Sequence, residues 1–233
     1  MSAFVLVPGG SHGAWCYRAL LRELGALGHK AIAVELPGHG DDATPRASVE
    51  FDSYVAAIAA ALRAAGDDEL VLAGHSVGGM ALADATALQP VRELVYLAGY
   101  VLDSGECVLD LIPGSRRETY RRQAAASPEN AISVSWDAAR ERFFEDLPEA
   151  EARAAFARLT PEPFGPFLTP ARTSARDARA DRKRYLLSSR DRHLPGELAR
   201  AMARKLGGTL ESIDAGHDAM LSHPRELARL LVS

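Results

Sequence analysis

The sequence is poor in cysteine and in aromatic residues, and it contains no long apolar run. Its 233 residues include two cysteines, Cys16 and Cys107, which allow at most one disulfide bridge and exclude a cysteine-based metal cage. No apolar stretch approaches the roughly 20 residues that a membrane-spanning helix needs. Because apolar residues still make up 47% of the chain, the composition predicts a soluble globular protein without a membrane partner.

Positive charge is also limited. Lysine and arginine together number 27 against 31 acidic residues, which gives a formal net charge of -4. A protein that binds nucleic acid needs a broad cationic surface for the phosphates, so nucleic acid is excluded as a partner. The first ten residues carry no basic segment and reach Pro8-Gly9-Gly10 after a short apolar run, which predicts a strand and a turn rather than a signal peptide. We therefore expect a cytoplasmic protein.

Apolar runs alternate with segments of helical periodicity along most of the chain. This alternation predicts an α/β fold in which a mostly parallel sheet of about six strands is flanked by helices. The predicted strands are residues 4–7, 31–36, 70–74, 94–98, 184–188 and 209–213. The helices predicted between them include residues 15–27, 51–65 and 77–88.

Residues 103–182 interrupt this alternation, because the span is too long for an ordinary connection between a strand and a helix. We predict one domain in which residues 1–102 and 183–233 form the core and residues 103–182 form a helical cap. The cap has predicted helices over 115–126, 138–146 and 148–159.

The cap holds much of the chain's aromatic content. Its aromatic side chains either join the cap to the sheet or line a pocket, and we take Trp136, Phe164 and Phe167 as candidate substrate-binding residues. Arginines lie nearby on the first predicted cap helix, alternating with acidic residues. We interpret them, Arg116 among them, as a solvated helix face.

A G-x-S-x-G motif lies between the predicted strand 70–74 and a helical segment, as Gly74-His75-Ser76-Val77-Gly78. In that context the motif is typical of a nucleophile elbow, where small residues let the backbone turn tightly and expose the serine Oγ. The alternative is a glycine-rich turn in which Ser76 caps a helix. We predict that Ser76 is a nucleophile.

A serine hydroxyl is a weak nucleophile, so it needs a base and an acid that orients the base. Asp191 follows the fifth predicted strand and His217 follows the sixth, which places both at the carboxyl edge of the sheet. His193 competes as the base, although we expect it to face solvent, and Asp103 competes as the acid. Asp218 is expected to point away from the site.

The oxyanion of an acyl-transfer reaction also needs hydrogen-bond donors. The backbone N–H of Val77, directly after the nucleophile, is one candidate. The loop of residues 8–13 supplies the other, for which we choose the N–H of Gly10 with Gly9 as the alternative. A plain strand-to-helix turn would explain these glycines equally well.

Taken together, these motifs resemble the α/β-hydrolase superfamily, and within it the branch of plant methylesterases, hydroxynitrile lyases and bacterial esterases. The likeness rests on residues 4–15, 24–30, 35–40 and 74–79 and on the surroundings of Asp191 and His217. The sequence departs from the family in two places. The family commonly has His-Gly where this chain has Pro8-Gly9. The lyases carry a lysine at the position of Asp218 and a threonine at the position of Gly9. A carboxylate at Asp218 cannot stabilise a departing cyanide, so hydrolysis is favoured over cyanohydrin cleavage.

The expected function is a serine hydrolase that cleaves a small-molecule carboxylic ester through an acyl-enzyme and requires no metal or cofactor. One alternative keeps the fold and triad for hydrolysis of C–C bonds or lactones, or for cofactor-free oxygenation. A second alternative is a non-catalytic receptor for a small ligand. The sequence leaves the acyl and alcohol groups open, and it leaves open whether the chain forms a homodimer.

Overall fold

A computed structural model describes residues 1–66 and 69–233. Its β-strands, in chain order, are β1 (Ser2–Val7), β2 (Lys30–Ala33), β3 (Glu69–His75), β4 (Val91–Leu97), β5 (Ala131–Ile132), β6 (Glu162–Pro163), β7 (Ala180–Ser188) and β8 (Thr209–Ile213). Six of them form a parallel sheet in the order β2-β1-β3-β4-β7-β8. The short strands β5 and β6 pair separately in the antiparallel sense.

The helices connect these strands. They are α1 (Arg18–Ala26), α2 (Phe51–Ala64), α3 (Leu82–Leu88), α4 (Val108–Leu111), α5 (Gly114–Ala126), α6 (Trp136–Arg142), α7 (Glu149–Phe156), α8 (Gly165–Leu168), α9 (Gly196–Leu206), α10 (Ala219–Ser222) and α11 (Pro224–Val232). Two of the predicted helices begin as 3-10 turns, Ala14–Tyr17 before α1 and Ser76–Ala81 before α3. No helix within the described residues is long and apolar enough to cross a membrane. The cytoplasmic location stays a prediction.

The central strands β1, β3 and β4 are buried on both faces, and this burial explains why they were recognisable as continuous apolar runs, whereas the edge strands β2 and β8 are partly exposed. Along β1, Val5 and Val7 join the larger apolar cluster, whereas Phe4 and Leu6 join the cluster on the opposite face. The predicted fold class and all six predicted strands are confirmed. β2 ends at Ala33, three residues earlier than expected.

The chain between β4 and β7 contains α4 to α8 and the small sheet of β5 and β6. The three helices predicted there correspond to α5, α6 and α7, but α6 starts two residues early, at Trp136. The reason is an N-cap, because the Ser135 side chain accepts a hydrogen bond from the N–H of Ala138. The division of the chain into a core and a cap stays a prediction.

Candidate active site

Ser76 lies on a tight turn directly after β3. Its φ of 50° is in the left-handed region that a residue with a side chain rarely adopts. The turn is also crowded, because a Cβ at Gly78 would collide with the backbone oxygen of Pro8, and one at Gly74 would lie 2.7 Å from Leu82. The motif's glycines are therefore needed because the loop of residues 8–13, called the first loop below, and α3 both pack closely against this turn.

Three side chains from distant parts of the chain meet at this turn. His217 Nε2 lies 3.0 Å from Ser76 Oγ, and His217 Nδ1 lies 2.7 Å from Asp191 Oδ2. With Nδ1–H donating to the carboxylate, Nε2 is free to accept the serine proton. All three residues are buried within the protein, with exposures of 1% to 9%. This arrangement can activate a serine hydroxyl for attack on a carbonyl carbon.

Both oxygens of the Asp191 carboxylate are used. While Oδ2 faces His217, Oδ1 accepts hydrogen bonds from the backbone N–H groups of His193 at 2.7 Å and Leu194 at 2.8 Å. These bonds fix the carboxylate and turn the chain back toward the site. Asp103 lies elsewhere, 3.5 Å from Lys205 Nζ, and its side chain is 47% exposed.

The environment of His217 favours its charged form. Burial works to lower the pKa of this imidazole, but the negative charge and hydrogen bond of Asp191 outweigh burial, with Asp218 and Glu145 adding in the same direction, so the pKa is raised. The Phe143 ring stacks on the His217 ring at 5.6 Å and contributes to its burial. A base with a raised pKa accepts a proton from serine more readily than an ordinary imidazole does.

The loop that carries His217 is held by two acidic residues from the segment between β4 and β7. Glu145 Oε1 accepts a hydrogen bond from the His217 N–H at 3.2 Å, and Asp146 Oδ2 accepts one from the Gly216 N–H at 2.7 Å. Burial raises the pKa of Glu145, despite the backbone N–H donors that stabilise its charge. Sequence reasoning missed this pair.

His193 does not face solvent, so that expectation was wrong. Its side chain is buried, and its ring lies 4.7 Å from the His217 ring. The reason is the turn after Asp191. The His193 N–H donates a hydrogen bond to Asp191 Oδ1, and this bond directs His193 into the protein. Burial, with the nearby charges of His217, Arg116 and Arg142, holds the pKa of His193 well below its usual value, so the ring is neutral near pH 7.

A second buried network supports the site from behind. Asp218 is fully buried, and its Oδ2 accepts a hydrogen bond from His12 Nε2 at 3.0 Å. His12 Nδ1 lies 2.8 Å from the Gly10 carbonyl oxygen, and His75 Nε2 donates to the backbone oxygen of His217 at 3.0 Å. Burial lowers the pKa of His75 to about 3, so this ring is neutral. These hydrogen bonds connect the first loop to the loop that carries His217.

A buried carboxylate also holds the first loop from the opposite side. Glu162, in β6, accepts hydrogen bonds from the Ser11 N–H at 2.6 Å, from His39 Nε2 at 2.7 Å and from the Tyr54 hydroxyl at 3.2 Å. Burial works to lower the pKa of His39, but the charge and hydrogen bond of Glu162 raise it overall. Sequence reasoning missed this pair as well, because its members are 123 residues apart.

A pocket of about 430 Å³ opens beside Ser76. Gly10, Val77 and His217 line it together with Ser76, and so does Phe167. A Cβ at Gly10 would lie 2.9 Å from the Val77 side chain, so the two residues chosen as oxyanion donors are neighbours.

The other two aromatic candidates lie outside the pocket lining. Trp136 packs edge-on against Phe156 at 5.4 Å, under the guanidinium of Arg153, in the small apolar cluster around α6 and α7. Phe164 stacks on Phe167 at 6.0 Å within the main apolar cluster. Both side chains therefore pack within apolar clusters, and their predicted contact with substrate stays a prediction.

One group of side chains in the described part of the chain has donor atoms close enough for a metal ion, namely His75, His217 and Asp218, whose atoms lie within 4.8 Å of one another. His217 already bonds through both ring nitrogens, and Asp218 bonds to His12. A metal ion would have to displace these bonds, so the donor set fits the hydrogen-bond network better than it fits a metal.

A serine on a strained turn after β3, an acid after β7 and a histidine after β8 form the arrangement that α/β hydrolases use. The chain belongs to the alpha/beta hydrolase family, whose model matches residues 4–230. This match confirms the resemblance found in the sequence.

The chain is similar to relatives over its full length. It is 26% identical to a carbendazim hydrolyzing esterase of Nocardioides sp. (strain SG-4G), covering 100% of this chain and 99% of that protein. It is 25% identical to methylesterase 18 of Arabidopsis thaliana, covering 98% and 95%. Among solved structures, an extracellular alpha/beta-hydrolase from a Paenibacillus species superposes with a TM-score of 0.91 at 22% identity, over 100% and 98% of the two chains. That structure shows the same fold.

Proposed function

We propose that this protein is a carboxylic-ester hydrolase in which Ser76 is the nucleophile, His217 the general base and Asp191 the acid that orients the base. The observation that carries the proposal is the continuous chain of hydrogen bonds from Asp191 through His217 to Ser76. Support also comes from relatives named as an esterase and a methylesterase. The substrate is a small-molecule ester.

The reaction follows from the positions of the polar atoms. Ser76 Oγ attacks the ester carbonyl carbon while its proton moves to His217 Nε2, and Asp191 stabilises the resulting imidazolium. The tetrahedral intermediate collapses as its C–O bond to the alcohol breaks, and His217 gives its proton to the departing alkoxide. Water then attacks the acyl carbon and loses a proton to the same nitrogen. The second tetrahedral intermediate collapses as its bond to Ser76 Oγ breaks, His217 returns the proton to Oγ, and the carboxylic acid leaves with Ser76 regenerated.

The negative charge on the intermediate needs preorganised donors. We assign the backbone N–H groups of Gly10 and Val77 to this role, with Gly9 as the alternative to Gly10. Support for the assignment is that Gly10 and Val77 adjoin each other at the pocket beside Ser76. The first loop is held by hydrogen bonds on both sides, through His12 and through Ser11, and a donor fixed in this way needs no reorganisation during the reaction.

The test is the Ser76→Ala variant, assayed with a p-nitrophenyl ester and a serine-directed fluorophosphonate probe. We expect turnover to fall by about 10⁴-fold or more with the fold intact, and labelling to disappear, because the nucleophile is lost. Ser104→Ala, an exposed serine in the loop after β4, is the matched control and should behave as wild type. Retained activity or labelling in Ser76→Ala would contradict the proposal, whereas cleavage of lactones or diketones but not esters would redirect it to another substrate class.

A further inference from the structure

Two arginines contribute to a pocket wall that is otherwise largely apolar or uncharged. Arg116, in the first turn of α5, and Arg142, at the end of α6, both line the pocket beside Ser76. Arg116 is half-buried, which corrects its interpretation as part of a solvated helix face. Arg142 is also partly exposed, with a side chain that is 35% exposed.

The charge of Arg116 is not neutralised by the protein around it. Its Nη1 lies 3.4 Å from the backbone oxygen of His193 and 3.5 Å from the Nδ1 of the same residue, both uncharged partners. Among residues 1–66 and 69–233, no carboxylate forms an ion pair with its guanidinium. Within the same described residues, the ion-pair partner of Arg142 is the distant Glu141 at 3.9 Å, whose side chain is 63% exposed.

Glu162, the carboxylate that lines the same pocket, is already compensated. It accepts hydrogen bonds from Ser11, Tyr54 and His39, and its charge raises the pKa of His39, with which it forms a buried pair at 2.7 Å. It is therefore held under the first loop and does not offset the guanidinium of Arg116. Within the described residues, the guanidinium of Arg116 is therefore left without a paired carboxylate at the α5 side of the pocket.

This positive group lies close to the reacting atoms. Arg116 contacts His193, and the His193 ring is 4.7 Å from the ring of His217. The pocket wall also includes Phe143 and Phe167, which can contact a carbon chain. A half-buried guanidinium next to such a wall binds a carboxylate more strongly than one in water does, because it is less hydrated and presents paired donors.

We propose that Arg116, assisted by Arg142, binds an anionic group of the substrate, so that the preferred ester carries a carboxylate or a comparable anion on its acyl or alcohol part. The inference rests on the proposed ester hydrolysis and specifies its substrate class. Arg116 is then a specificity-determining residue, which distinguishes charged esters from neutral ones of the same size.

Matched ester pairs test the inference and distinguish the two parts of the substrate. For the acyl side, p-nitrophenyl hemiadipate carries a free carboxylate and p-nitrophenyl hexanoate is its neutral analogue. For the alcohol side, the hexanoate ester of 4-hydroxybenzoate is compared with that of 4-hydroxyacetophenone. The values of kcat/KM are measured for wild type, Arg116→Gln, Arg116→Lys and the control Arg122→Gln, an exposed arginine on the same helix.

Wild type should prefer the anionic ester in at least one pair. Arg116→Gln should lower kcat/KM for that ester about tenfold, mainly through KM, because a charged hydrogen bond is lost. The neutral analogue should be unaffected, and its turnover shows that the variant is folded. Arg116→Lys should retain part of the preference, since it keeps the charge but loses the planar fork, and Arg122→Gln should match wild type.

The possible failures are distinguishable. If Ser76 is labelled by the fluorophosphonate and the neutral esters are hydrolysed, but neither anionic ester is preferred, the anion site is refuted and the proposed hydrolase activity stands. An equal loss for both members of a pair in Arg116→Gln would also refute it and make Arg116 a structural residue. Absence of both labelling and turnover in wild type would refute the proposed function together with this inference.

Discussion

The two sides of the pocket are built in different ways. On the sheet side, Ser76 directly follows β3, and Asp191 and His217 lie in the loops after β7 and β8, so the topology of the sheet brings them together. On the opposite side, Arg116 and Phe143 lie in the segment between β4 and β7 and reach the pocket through the packing of short helices. In the proposed mechanism the strand ends supply the reacting groups, whereas the inserted segment supplies the side chains that contact the rest of the ester.

Among variants that compare the two sides of the pocket, the largest effect should come from changing the acid on the sheet side. Asp191→Asn should lower turnover about 10⁴-fold, because an amide in this position favours the wrong tautomer of His217. Asp103→Asn, at the start of the inserted segment, removes a carboxylate that is paired with Lys205 and should leave turnover unchanged. Both variants are assayed with the same p-nitrophenyl ester. A similar loss of turnover in both variants would contradict the view that the strand ends supply the catalytic groups and the inserted segment does not.

The sheet side could largely be predicted from the sequence. Buried parallel strands produce uninterrupted apolar runs, and the residues after them lie at one edge of the sheet, so the loops of Ser76, Asp191 and His217 were identifiable without coordinates. The burial of His193 could not be predicted from the sequence, although His193 is only two residues from Asp191. Its direction depends on a hydrogen bond between its own N–H and the Asp191 side chain, which no periodicity reveals.

The inserted segment was much less predictable. Of its helices, α5, α6 and α7 were located within a few residues and the short α4 and α8 were missed, and amphipathicity did not show which residues face the pocket. Arg116 and the exposed Arg122 each lie beside a second arginine on α5, and it is the packing of α5 that brings Arg116 to the pocket. Glu162 and His39 are paired across 123 residues, and such a contact depends on the complete fold.

A smaller effect, on stability, should come from Glu162, which lies in the inserted segment but binds a loop of the sheet side. Glu162→Gln should lower the free energy of unfolding by about 2 kcal/mol near pH 6, because a buried charged hydrogen bond to His39 is weakened. The pKa of His39 is raised in the folded protein. Its contribution to stability is therefore complete below the unfolded-state pKa of about 6.5 and is lost as the pH rises through the folded-state value.

The difference in stability between wild type and Glu162→Gln should accordingly shrink from pH 6 toward alkaline pH, as measured by urea unfolding at several pH values. Other buried histidines contribute equally to both proteins and cancel in the difference. Glu129→Gln is the matched control, since Glu129 forms an exposed pair with Arg46 near the same small sheet and should cost at most about 0.5 kcal/mol at any pH. A difference that grows with pH would contradict the assignment of a charged pair.

The smallest effect should come from Trp136, whose aromatic ring belongs to the inserted segment but not to the pocket. Trp136→Leu removes the contact with Phe156 and the cation–π contact with Arg153, and should lower the free energy of unfolding by about 1 kcal/mol. Because the side chain packs α6 against α7, KM for p-nitrophenyl hexanoate should not change. Denaturant unfolding and steady-state kinetics on the same preparation measure both quantities. A several-fold change in KM with stability unaltered would return Trp136 to the pocket wall, and the inserted segment would then use its aromatic residues for selectivity as well as for packing.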